Sequence, residues 1–340
     1  MKFDKLVLLS VALCAIVLAG EFMAYGPSMH SYGADARIEN GSVDISIRSS
    51  GSDTYSAMIV DNGARPAVTQ LYVYMDNRYD RYFGDAEKTV SMNKLDLPYS
   101  IDQVCRTLNV RGFDRISVLN DEQLFDAMNG DMGGYVSKGL LVMSYALPDS
   151  IYSGTADDLL LKWIGLGGYL YWMSSPIGMF CYDGSGLAPV NGSQELLFGK
   201  ECMNLGETDI AYSVTDCGGL TKALALKWNR VRHALDPSDI DGALSMGFSE
   251  DGYSSISMVP FGSGMICVLG GNYERQQCDD AAQIIASGIS CYSKILWIGE
   301  GSITRETIEL RQEIPPDAGN ISVYISIGGY YVTYGRLIQC

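Results

Sequence analysis

The sequence predicts an α/β protein: a mostly parallel sheet with helices on both faces, to which accessory β strands are added from the N- and C-terminal flanks. Two observations predict it. From about residue 68, short apolar runs of strand character alternate with segments of helical period, the order of a parallel sheet covered by helices. Before that point and after about residue 292, only the two-residue alternation of strands is visible. With 340 residues, 47% of them hydrophobic, the chain can bury one large core with appendages or two modest ones.

Taken in order, residues 37–67 form an accessory β segment, in which VDISIRS (43–49) alternates Val43, Ile45 and Ile47 with polar residues and YSAMIV (55–60) follows a turn. The α/β core spans 68–292. TQLYVYMD (69–76) is its first strand, and YSIDQVCRTLNV (99–110) is a helix with Ile101, Val104, Cys105 and Leu108 on one face. RISVLN (115–120) is a strand whose last residue, Asn120, caps the helix DEQLFDAM. GLLVMSYA (139–146) is the third strand. TADDLLLKWIGL (155–166) is a helix with Thr155 as N-cap and Asp158 three residues on, stopped by Gly167 and Gly168, and YLYWM (169–173) is the fourth strand. Further on, QELLFG and LTKALALKWNRVRHAL read as helices, the second with a stripe of Leu224, Trp228, Val231 and Leu235. SSISMVPFGSGMICVLGG (254–271) reads as a hairpin and DDAAQIIASGI (279–289) as a helix. Residues 293–340 form a C-terminal β segment whose tail, with its GGYYVTYG run, has one aromatic face suited to docking a partner or to packing on the core.

The N-terminus carries an address. Lys2 and Lys5 precede an unbroken apolar run from Leu6 to Gly20, closed by Glu21, the pattern of a secretory signal. Residues 1–20 are therefore a signal peptide or, if uncleaved, a transmembrane helix anchoring the chain, and 21–36 are a linker. The expected location is extracytoplasmic, at the cell surface, membrane-anchored or secreted. Export into an oxidising compartment makes the eight cysteines beyond Cys14 candidates for disulfides, with Cys202 and Cys217 the favoured pair. Three N-x-S sequons, at Asn40, Asn191 and Asn320, become candidate glycosylation sites. A net charge of −16 repels nucleic acid, and no CxxC pair supports a zinc site.

The order of elements resembles the class I glutamine-amidotransferase-like superfamily, a flavodoxin-like α/β layout. The resemblance rests on LYVYMDN, on LLKWIGLGGYLYWMSS, and on SSISMVPFGSGMICVLGG followed by DDAAQIIASGI. It covers about two-thirds of the chain. Catalytic members of that superfamily need a cysteine in a G-x-C-x-G elbow and a late H-x-E. Here Cys181 has Gly178 three residues before it and Gly184 three after, and neither His30 nor His233 sits in an H-x-E. The resemblance thus implies a scaffold without its triad: no catalytic residue, no cofactor, and a binding or assembly module at the cell surface.

Ligands in open α/β sheets bind beyond the carboxyl ends of the strands. That edge supplies Asp76, Asn77, Arg78, Tyr145, Ser174 and Ser175, a cation, a carboxylate and a ring suited to a saccharide; an ordinary solvated loop rim explains the same residues. The competing class is an extracytoplasmic hydrolase acting on carbohydrate. Asp157-Asp158 and Asp279-Asp280 read as helix N-terminal acids and not as a catalytic pair. DPSDIDG (236–242) is a calcium loop only in part, because Pro237 stands at the first ligand position.

Overall fold

The computed structural model describes residues 30–63, 68–75, 97–173, 177–203, 212–228, 230–231, 235–270 and 275–338. The chain divides into two compact units, one built from the segments up to Asp61 and from Ile295 onward, the other from Asn62–Lys294.

The first unit is all β. Tyr32–Glu39, Ser42–Ser49 and Thr307–Glu313 pair antiparallel as one three-stranded sheet, with Ser42–Ser49 in the centre. Lys294–Thr304, Ser52–Asp61, Asn320–Ile327 and Tyr330–Ile338 make a four-stranded sheet in that order. The alternation of Val43, Ile45 and Ile47 puts all three on one side, where they meet Ala57, Ile59, Ile303, Val323 and Ile325 in a single aliphatic cluster. Each of these eight side chains is fully buried. Small and β-branched residues suit that geometry, since they fill the space between two pleated sheets with little rotamer freedom to lose.

The second unit is centred on a mixed seven-stranded sheet. Its order is Leu244–Ser245, Ile256–Phe261, Gly264–Leu269, Tyr169–Met173, Lys138–Val142, Gln70–Tyr74, Ile116–Leu119. The last five run parallel to one another, and the first two are antiparallel to their neighbours. Two small sheets are added. Leu147–Pro148, Phe180–Tyr182 and Leu187–Pro189 form one; Tyr212–Asp216, Arg230–Val231 and Gly247–Ser249 form the other. The expected fold class, a mostly parallel sheet with helices on both faces, is therefore corrected. Among the described residues the chain is rich in strands, antiparallel pairing prevails, five parallel strands belong to one mixed sheet, and a short parallel pair belongs to a small sheet. The physical reason is local: a two-residue turn at Gly262-Ser263 folds Gly264–Leu269 back on Ile256–Phe261, and each flank closes its own hairpins.

Asn120 caps the helix Asp121–Asp131 as expected. Its side chain accepts from Gln123 N–H at 2.9 Å, and the Gln123 side chain accepts from Asn120 N–H at 3.1 Å, a capping box. Elsewhere the helices are shorter than the periodicity implies. The helix expected over 155–166 begins only at Leu159, because the Asp158 carboxylate turns back on Ser153, Gly154 and Thr155. Among the described residues of LTKALALKWNRVRHAL the helix runs over Leu220–Ala223; Ala225 then has φ +52°, and the Asp280 carboxylate accepts the N–H of Lys227 at 2.9 Å. A tertiary contact replaces the next turn of helix.

The glycine pair after Trp163 has a packing explanation. A Cβ on Gly168 would sit 2.2 Å from the Trp163 ring, and one on Gly167, at φ +116°, 2.4 Å from the Val136 carbonyl oxygen. Gly167 and Gly168 let a fully buried indole lie flat under the strand that follows. Around that indole, Asp131 accepts from Trp163 Nε1–H at 3.0 Å and from the Tyr72 hydroxyl at 3.2 Å, and pairs with Lys138. Lys138 also donates to Tyr72 Oη at 2.7 Å.

Among the described residues no helix is long and apolar enough to cross a membrane, so the expected transmembrane helix finds no support there; the run 1–20 lies outside them. None of the seven cysteines within the described residues forms a disulfide, which corrects the expected disulfides and the pair Cys202–Cys217. Cys202 is buried beside Gln194, whose side-chain oxygen takes its N–H at 2.8 Å. Cys217 instead follows the strand Tyr212–Asp216 and bonds Met246. Separate pairings hold the two.

Candidate functional site

Of the six residues expected at the carboxyl edge of the parallel strands, Tyr145 is described, and Asp76, Asn77, Arg78, Ser174 and Ser175 lie outside the described residues. The edge around Tyr145 is built from the strand Lys138–Val142 and the segment that leaves it. Trp172 Nε1–H donates to the Ser144 carbonyl at 3.2 Å, fixing the end of this strand against the next. The chain then enters the short parallel pair of Leu147–Pro148 with Phe180–Tyr182. Tyr145 precedes one of these strands and Phe180 begins the other, so the register brings their rings together, centroids 5.2 Å apart and planes inclined by 34°. Both are half-buried. Burial raises the Tyr145 hydroxyl above its ordinary pKa, so the ring is a neutral phenol at physiological pH.

At the far end of the same ladder the two strands deliver acids. Asp149 N–H donates to the Tyr182 carbonyl at 2.8 Å, and the residue after Tyr182 is Asp183. Asp149 and Asp183 are thus next neighbours in a parallel register, both exposed. Asp183 accepts from the Ser185 hydroxyl at 2.6 Å, Ser185 N–H at 2.9 Å and Gly186 N–H at 3.1 Å. The Ser185 bonds hold its carboxyl below the usual range, so it stays ionised. Between rings and acids lies Cys181. Burial pushes its thiol up, and the nearby Asp149, Asp183 and Asp158 push the same way. A thiolate there is disfavoured, which argues against Cys181 as a nucleophile.

The other acids named from the sequence are engaged in structure. Asp158 accepts from the Ser153 and Thr155 hydroxyls at 2.7 and 2.8 Å besides three N–H groups. Burial would raise its pKa, but the Ser153 and Thr155 bonds outweigh it and lower it. Asp279 accepts from Gln103 and Thr107, each at 2.7 Å. Asp280 is buried in the helix Arg275–Ser287, one turn beyond its start and not at its cap; burial drives its carboxyl up to about 7. In DPSDIDG, Asp236 accepts from Ser238 N–H and Asp239 pairs with Lys200 at 3.1 Å. Among the described residues no group of three His, Cys, Asp or Glu could hold a metal ion.

Phe180 and Asp183 were missed in the sequence because their partners, Tyr145 and Asp149, lie over thirty residues away. PIGMFCYDG drew attention to Cys181 alone. The remaining signal was the alternation Phe180, Tyr182 beside Cys181, a three-residue strand too short for periodicity to identify.

No protein-family model matches the sequence, and no curated protein matches it. The solved structures similar to it include glycoside hydrolases. Gan42B, a GH42 β-galactosidase from G. stearothermophilus, is 19% identical over 64% of this chain and 29% of its own, with a TM-score of 0.42. A β-galactosidase from Halorubrum lacusprofundi is 16% identical over 66% of this chain and 30% of its own, at 0.41. A cytoplasmic protein of Salmonella typhimurium LT2 is 9% identical over 51% and 76%, at 0.33. This chain matches less than a third of the length of either β-galactosidase. At these TM-scores the likenesses give it neither a fold name nor an activity. The expected glutamine-amidotransferase-like membership is nonetheless corrected: no family model matches, and the similar structures include β-galactosidases and a cytoplasmic protein. The stretch LLKWIGLGGYLYWMSS that carried the resemblance owes its glycines to Trp163 and the Val136 carbonyl.

Proposed function

We propose that this chain is an extracytoplasmic carbohydrate-directed protein that binds a saccharide along the ladder from Tyr145 and Phe180 to Asp149 and Asp183. The observation that carries the reading is the half-buried ring pair at 5.2 Å, at the carboxyl edge of the parallel strands. Two rings held by backbone register offer a rigid apolar face for the C–H surface of a sugar. Three residues on from Phe180 and four on from Tyr145, about 10 to 13 Å along the strands, two carboxylates are acceptors for its hydroxyls. The export signal at Lys2 to Gly20 accords with a polymeric or surface glycan as ligand.

A second reading, hydrolysis of a glycosidic bond, rests on the register of Asp149 and Asp183. Neighbouring strands lie about 4.8 Å apart, close to the roughly 5–5.5 Å between the carboxyl groups of retaining glycosidases. Titration calorimetry against a panel of oligosaccharides tests binding. Tyr145→Ala should weaken the best ligand about tenfold, the worth of one stacking contact of about 1.4 kcal/mol. No binding by the wild type, or binding indifferent to Tyr145→Ala, overturns the proposal. Release of nitrophenol from 4-nitrophenyl glycosides, abolished by Asp183→Asn, would establish the hydrolase; binding without turnover would reject it.

A further inference from the structure

Two exposed connections carry the same tripeptide, Asn-Gly-Ser, one a hairpin turn and the other a strand-to-helix link. Asn40 and Gly41 are the two central residues of the turn between Tyr32–Glu39 and Ser42–Ser49, closed by the Glu39 to Ser42 pair. Both have positive φ, +51° and +75°, the conformation that a two-residue hairpin demands and that Asn-Gly supplies. Asn191 and Gly192 lie in the connection from Leu187–Pro189 to the helix Ser193–Phe198, with Gly192 at φ +68°. Asn40 and Asn191 are exposed. A Cβ on Gly41 would meet nothing within 4 Å, and one on Gly192 would meet only a Glu195 oxygen, at 3.8 Å. The third sequon differs. Asn320 is half-buried and paired with Ile338 in the four-stranded sheet; the serine that completes each of the three sequons, Ser42, Ser193 and Ser322, is buried, so it is the asparagines that differ.

We propose that Asn40 and Asn191 are acceptors for an N-linked glycan and that Asn320 is not. The proposal rests on the export reading. The donor is a saccharide carried on a lipid pyrophosphate. The side-chain amide nitrogen forms a bond to the anomeric carbon, and the bond from that carbon to the pyrophosphate oxygen breaks. The lipid pyrophosphate leaves with the electron pair, and the amide loses one proton. A bulky polar glycan needs a side chain aimed at solvent with open space around it. The two connections meet that need without disturbing a ladder. At Asn320 the same glycan would have to leave a paired strand from a half-buried position.

Translation of the full chain in the presence of endoplasmic-reticulum microsomes tests this. The expected result is a protease-protected chain with two glycan-sized mobility steps, both removed by peptide-N-glycosidase. Asn40→Gln and Asn191→Gln should each remove one step, and Asn320→Gln none. A protected chain without steps, or a step lost in Asn320→Gln, overturns the proposal while leaving export intact. A chain that is not protected overturns export and the modification together.

Discussion

The two units solve burial differently. In the all-β unit, the buried polar side chains among the described residues are serines: Ser42, Ser49, Ser56, Ser322 and Ser326. Its core is Val, Ile and Ala. The mixed-sheet unit buries two carboxylates, Asp158 and Asp280, with Gln194, Gln277 and Gln283, and its core carries Trp163, Trp172 and four of the molecule's largest buried tyrosines. Large polar-tipped rings and buried acids call for partners: Trp163, Trp172, Asp158 and Asp280 have theirs, while the buried Tyr152 hydroxyl has none among the described residues. The lesson is one of pH. A serine and isoleucine interior is indifferent to protons, whereas each buried carboxylate ties stability to them.

Asp131→Ala should have the largest effect. It strips the acceptor from Trp163 and Tyr72 and the counter-ion from Lys138, and should destabilise the mixed-sheet unit by about 3 kcal/mol in urea unfolding. A loss under about 1 kcal/mol would mean the network is solvated like a surface pair. The same network predicts alkaline sensitivity. Burial would lower Lys138, but its bonds to Asp131 and Tyr72 outweigh this and raise it. That contribution is complete below the unfolded lysine pKa and is lost as pH rises through the higher folded one.

Next is Asp280→Asn, which acts in the opposite direction. Folding raises this carboxyl from 3.8 to about 7, so its contribution is full only below about pH 4 and is lost as pH rises to 7. The substitution should stabilise by on the order of 2 kcal/mol at pH 8 and by little at pH 4. Thermal unfolding at the two pH values checks it, and an equal effect at both would refute the burial argument. Asp158→Ala should cost about 2 kcal/mol at pH 7 by orphaning the Ser153, Gly154 and Thr155 donors. Because its folded pKa is lowered, the wild type holds that stability above the unfolded value and loses it as pH falls through the folded one. Chemical denaturation from pH 7 to 3 should show mutant and wild type converging. The smallest effect belongs to the other unit: Ile303→Val, in the aliphatic core, should cost about 1 kcal/mol and the same amount at every pH. A pH-dependent cost there would mean the all-β unit also hides a titrating group.

Much of the element order was legible. Strands with strict alternation, such as Val43, Ile45 and Ile47, and the cap at Asn120 are local signals, settled within a few residues. The failures share one cause, competition from distant groups. Asp158 left its capping role for a turn of its own, and Asp280 took the N–H groups that would have extended the helix after Ala223. The binding edge was half legible: Tyr145 was named, but Phe180 came beside it only through the register of two strands of two and three residues.

Composition and short-range period suffice for the acidic charge, the sequon tripeptides and the strands of each flank, so the chain of residues was enough to read them. Long-range contacts decided the rest: which strands pair, that the cysteines stay apart, that Gly167 and Gly168 serve a buried indole, and that Tyr145 meets Phe180. Those outcomes depend on residues far apart in the chain, whose interaction free energies no local window contains.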